Sequence, residues 1–136
     1  MKKILLIFIF GIISYNLTGQ SLRGLNLNSY KYIVVESTTH KNAKKILLKK
    51  LKSAGYNVLD SAKDFPEDLE KDNLLALFLN STESCDLLKC RATIYLTTSD
   101  GSLVWQSATA LSGISFGNAL KQAVSPFKAY NYKYLQ

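Results

Sequence analysis

The sequence predicts an α+β fold: one two-layer domain that opens with a β-α-β unit, continues through antiparallel β-hairpins and ends in a C-terminal helix. Three observations carry this. The run "YKYIVVES", residues 30–37, has the aromatic and β-branched density of a strand, and in the segment after it Ala43, Ile46, Leu47, Leu51 and Ala54 recur at helical spacing. Asp100 and Gly101 lie between two strand-like runs, a strong short-range hairpin signal. Near the end, Leu120, Ala123, Val124 and Phe127 form a second helical stripe.

Ahead of this domain, Lys2 and Lys3 precede an apolar run over residues 4–10 that Ile12 and Ile13 extend past Gly11. This is the pattern of a signal peptide, read over residues 1–19. The run gives out at Ser14 and Asn16, short of the about 20 apolar residues that a membrane span requires. Cleavage after Gly19 leaves residues 20–136 as a single domain with no transmembrane span, 117 residues long, enough for a two-layer core. The loss of Lys2 and Lys3 lowers the formal charge from +7 to +5. No cysteine precedes Cys85, which argues against a bacterial lipid anchor.

The elements follow in order. A polar lead, "SLRGLNLNS", enters the first strand, and Thr38 and Thr39 offer cap chemistry to the first helix. Gly55 stands where a helix C-cap belongs, and "YNVLD", residues 56–60, makes a second strand, parallel to the first. "SAKDFPEDLEKD" is a charged surface connection with room for one helical turn. "NLLALFLN", residues 73–80, is short and apolar enough for a buried strand, and the runs "RATIYLTT" and "SLVWQSATA" form the hairpin around Asp100 and Gly101. Trp105 is read as core, sharing a face with Leu103. In the last helix Asn118 is the candidate cap, and Pro126 predicts a kink or a restart. The sheet expected is four- or five-stranded, mostly antiparallel, and covered on one face by the two helices.

The landmarks "YKYIVV", "GYNV", "FPEDL", "SDGSLVWQS" and "NYKY" resemble, in this order, a family of small exported Gram-negative envelope proteins of unknown function. The layout is also similar to compact α+β domains of envelope lipoproteins with a "G.LVW" hairpin. The resemblance implies an exported α+β domain of the cell envelope and brings no catalytic residues with it. The cysteine pair is where this chain departs from the family.

Both cysteines lie in "SCDLLKC", residues 84–90. In an oxidising compartment such a pair is more often a disulfide than a ligand set, with free thiols the main alternative. Zinc needs about four ligands, and beyond Cys85, Cys90 and His40 the nitrogen and sulfur donors run out. A redox pair prefers two intervening residues, and four stand here. His40, the single histidine, reads as a polar residue at a helix start, with no nucleophile marked beside it. Asp64, Glu67, Asp68, Glu70 and Asp72 match no calcium loop and read as a solvated acidic segment.

Lys41, Lys44, Lys45, Lys49 and Lys52 fall within roughly 140° of one another on the first helix, a candidate anion-binding stripe. Tyr130, Tyr132 and Tyr134 interleave with lysines as a candidate aromatic surface, or pack the tail back on the sheet. No cofactor or metal motif accompanies them. The leading functional expectation is therefore a non-catalytic binding module of the periplasm or cell surface, its partner an envelope protein or an anionic envelope polymer. Nucleic acid is disfavoured by the export signal and the lack of a phosphate-cradling glycine loop. The alternatives are an envelope hydrolase using the acidic segment, and polymer or lipid-surface binding through the lysine stripe.

Overall fold

The computed structural model of the protein describes residue 22 and residues 25–113 and 115–135, apart from the side chains of Ser37 and Lys41. The signal peptide expected over residues 1–19 lies outside the described residues. Among those described, six strands form one mixed sheet in the order β2-β1-β3-β4-β5, with β6 also on β4. They are β1 (Tyr32–Thr38), β2 (Val58–Asp60), β3 (Ala76–Cys85), β4 (Cys90–Thr97), β5 (Leu103–Gln106) and β6 (Ala110–Ser112). β1 runs parallel to both β2 and β3, and β4 is antiparallel to β3, β5 and β6.

The α+β class holds, and the sheet is larger than four or five strands for a local reason. The second arm of the hairpin breaks at Ser107, whose main-chain N–H donates to Ile94 O at 2.8 Å while its Oγ accepts from Ile94 N at 2.8 Å. A side-chain oxygen takes the place of a ladder carbonyl, so one expected strand becomes β5 and β6. Both lie against β4.

Helix α1 (Lys41–Ser53) follows β1 and buries Ala43, Leu47 and Leu51 completely. Its cap is His40 rather than Thr38 or Thr39: the imidazole Nδ1 accepts from Asn42 N at 3.2 Å. At the other end Gly55 N donates to Lys52 O and Tyr56 N to Leu51 O, a Schellman motif with Gly55 at φ +95°. The turn aims Tyr56 into the core beside Leu51, and the chain enters β2.

Helix α3 (Phe116–Ala129) packs next to α1 on the same, inner face of the sheet, over Ile33, Val35, Leu77, Leu79, Ile94 and Leu96. Its cap is Ser115, whose Oγ accepts from Asn118 N at 3.3 Å, so Asn118 is the partner of the cap and not the cap itself. Pro126 neither ends nor restarts this helix. The carbonyl of Gln122, which a residue other than proline at 126 would reach through its N–H, accepts from Ser125 Oγ at 2.8 Å. Trp105 meets Phe127 edge-on, with ring centroids 5.5 Å apart, at the margin of this core.

The outer face is not bare. To reach β3 from β2 the chain crosses over β1, and helix α2 (Glu67–Lys71) lies in that crossing. Leu69 is buried there against Tyr32, Val34 and Ala76, with Phe65, Leu59, Leu75 and Phe78 around it. The acidic connection thus carries a small second core. The lead is packed as well: Leu22 and Leu27 are buried, and Tyr130 donates its hydroxyl hydrogen to Leu25 O while accepting from Leu27 N.

Candidate functional site

The two cysteines stand at the ends of β3 and β4, directly paired in the ladder that runs Phe78↔Thr97 to Cys85↔Cys90, and they are bridged. The expected disulfide is present. Four residues separate the half-cystines, and the turn between them is fully wired: Asp86 N donates to Lys89 O, and Asp86 Oδ1 accepts from Leu88 N and Lys89 N, each at 2.9 Å. Those two N–H groups, with Arg91 and Lys89 adding their charge, hold the Asp86 carboxyl below the usual carboxylate range. Closing so short a loop contributes about 2 kcal/mol through the entropy of the unfolded chain.

The lysine stripe divides. Lys44 donates to Asp60 Oδ1 at 2.8 Å, a pairing that lowers the Asp60 carboxyl and ties α1 to the end of β2. Lys45, Lys49 and Lys52 are exposed, and the Lys41 side chain lies outside the described residues. A cleft of about 260 Å³ between α1 and α3 gathers further cations that the stripe did not include. Lys50, Lys121 and Lys128 line it, above Ala54, Val124 and Phe127. Its serines offer no free proton, since Ser53 Oγ donates to Lys49 O and Ser125 Oγ to Gln122 O. Only the packing of the two helices reveals this set, because its lysines come from segments about 70 residues apart in the chain.

The acidic segment does not converge. Asp68 accepts from Lys31 Nζ at 2.5 Å and from Tyr32 Oη at 2.9 Å, and the lysine holds its carboxyl below the usual range. Glu67 pairs with Lys71 along the helix surface at 2.7 Å, and Asp72 accepts from Leu74 N. A cleft of about 270 Å³ nearby is lined by Asp60, Lys63, Asp64, Lys52 and three apolar residues, so Asp64 alone of the five acids faces it.

One buried carboxylate escaped the sequence reading. Glu83 is 7% exposed, and its Oε2 accepts from His40 N at 2.9 Å while Oε1 accepts from the Ser81 hydroxyl. The His40 ring in turn lies against Phe116, 4.0 Å between centroids, so the group joins β3 to the starts of both long helices. The signal was strand alternation: continued past Asn80, it puts Ser81 and Glu83 on the face of Leu77 and Leu79. At the other end of the molecule, Tyr132 donates to Tyr30 O and stacks on Tyr56, Tyr130 is bonded to the lead, and Tyr134 is partly exposed. Among the described residues no three His, Cys, Asp or Glu side chains are grouped to hold a metal, and no helix is long and apolar enough to cross a membrane.

No protein-family model matches the chain, and no curated protein matches it. Solved structures do. A single-substitution form of the PelC dodecamer from Paraburkholderia phytofirmans is 16% identical, with a TM-score of 0.51 over 81% of this chain and 94% of that one. The PelC dodecamer in another crystal form gives 17% identity and a TM-score of 0.49 over 80% and 93%. Lipoprotein GNA1162 from Neisseria meningitidis gives 17% and 0.36 over 73% and 96%. At such identities the PelC likeness is one of fold.

Proposed function

We propose that the protein is an exported, non-catalytic binding module of the bacterial periplasm or cell surface. The observation that carries this reading is the fate of the groups that chemistry would use. Cys85 and Cys90 are joined to each other, Asp68 is held by Lys31 and Tyr32, and Glu83 by His40 N and Ser81. Each is committed to a structural partner, whereas a catalytic acid, base or nucleophile must face a substrate. A disulfide also suits an oxidising compartment, in keeping with the export signal. Self-assembly is one form such binding takes, as in PelC, a dodecamer.

A second reading, binding of an anionic envelope polymer along the helix layer, is favoured by the cleft where Lys50, Lys121 and Lys128 ring an apolar floor. The hydrolase alternative has less support, with Asp64 the single member of its acidic set at a cleft.

The test is an assay of the purified exported protein against ester, phosphoester and glycoside substrates, beside the variants His40→Ala and Asp64→Asn. The expected result is equal, background turnover for all three. Turnover by the parent that either variant abolishes would replace this reading with the hydrolase. Native mass spectrometry of the same sample reports the oligomer, the removal of the leader and any retained polymer.

A further inference from the structure

We propose that the disulfide-braced loop at residues 85–90 is a wedge that docks the protein on an anionic lipid surface. Leu87 is 102% exposed and Leu88 81%, adjacent leucines turned to solvent. They are not exposed because the loop is loose: the bridge, the Asp86–Lys89 main-chain bond and two N–H bonds to Asp86 Oδ1 all hold the turn that presents them. A fold that fixes two leucines outward has already ordered what a binding step would otherwise have to order.

Shape and charge select the occupant. A stable protein interface takes up about 800 Å² from each partner, far more than a four-residue turn tip offers. A bilayer interface accepts isolated apolar side chains to a depth of about 5–10 Å. Lys89 and Arg91 are exposed beside the leucines, and neither forms an ion pair with a described carboxylate. The acid of the turn, Asp86, stays ionised on its own N–H groups and offsets one of these two cations, so the tip keeps a net positive charge. Leu111, 49% exposed, stands opposite Arg91 across the β4–β6 pairing. Leucine in the headgroup boundary with lysine and arginine at its margin is the arrangement that anionic lipid favours.

This inference rests on the envelope reading for its setting, and the two fail separately. The experiment is co-sedimentation of the purified exported protein with vesicles of phosphatidylethanolamine and phosphatidylglycerol, and with phosphatidylcholine alone. Binding is expected to the first, weaker at about 200 mM than at about 50 mM salt. Leu87→Ser and Leu88→Ser are each expected to weaken it about tenfold. The exposed positions leave the fold intact, to be checked by an unchanged melting curve, and Leu103→Ser, an exposed leucine paired with Thr97 at the opposite end of β4, is expected to bind as the parent does. The proposal is overturned if the parent ignores vesicles, if the double leucine variant sediments like the parent, or if losing the leucines dissolves an oligomer instead. A protein that ignores vesicles but still retains a polymer or partner leaves the binding-module reading standing.

Discussion

Tyr132 and Tyr56 show how single side chains close this fold. The Tyr132 hydroxyl donates to Tyr30 O, the Tyr56 hydroxyl donates to Phe127 O at 2.7 Å, and the rings stack with centroids 4.5 Å apart. Burial favours the neutral phenol, so the Tyr132 hydroxyl is pushed up to about 12 and that of Tyr56 is raised as well. In the unfolded chain both ionise near the ordinary value of 10. Above that pH the unfolded state binds fewer protons than the folded one, so stability falls as pH rises. Their stabilisation is therefore complete below pH 10 and lost as pH climbs toward the raised values. Urea unfolding followed across that range should show the decline, and Tyr132→Phe should flatten it while costing about 1 kcal/mol at neutral pH. A variant curve parallel to the parent's would remove Tyr132 from the account. The sequence marked Tyr130, Tyr132 and Tyr134 as a candidate aromatic surface and favoured a tail packed back on the sheet, but interleaved composition does not say where that tail returns.

At the scale of elements, helix ends were legible where one residue type is nearly obligatory and illegible where several serve. Gly55 was readable as a C-cap because few other residues accept φ +95°. Ser115 was not readable over Asn118, since both are good caps three residues apart and the choice depends on where the chain leaves β6. His40 as a cap was hidden for the same reason, behind two threonines. Pro126 read as a kink or a restart, and the restart does not occur, because periodicity does not register a neighbouring serine hydroxyl that replaces the lost N–H at Gln122 O. Gly55 offers a clean measurement. A Cβ placed there meets nothing within 4 Å, so Gly55→Ala carries conformational strain and no clash. The expected loss is about 1 kcal/mol, read as a lower urea midpoint with unchanged slope, and Gly55→Asn should recover part of it because asparagine tolerates the left-handed region. Equal stability of Gly55→Ala and the parent would mean that the Schellman turn is not what ends α1.

At the scale of the molecule, the sheet is sealed by two crossings over opposite faces of β1: α1 on the inner side, α2 on the outer. The first crossing was legible in the sequence, since thirteen helical residues give a full apolar stripe. The second was not, because α2 has five residues, too few for a period to show, and its buried Leu69 is surrounded by charge. Two contacts hold that outer crossing: Leu69 in its apolar pocket, and Asp68 between Lys31 and Tyr32. They predict different behaviour. Leu69→Ala removes buried volume and should cost about 2–4 kcal/mol at every pH. Asp68 has a carboxyl lowered by Lys31, so its contribution is present above the ordinary value of 3.8 and lost as pH falls through the lower folded value. Asp68→Asn should accordingly weaken the protein at neutral pH and converge on the parent in acid, while Leu69→Ala stays below it throughout. Because the two residues are adjacent on one short helix, the double variant should cost less than the sum of the singles. Urea midpoints for the four proteins at neutral and acidic pH decide the matter: strict additivity would mean that the outer crossing does not act as one unit.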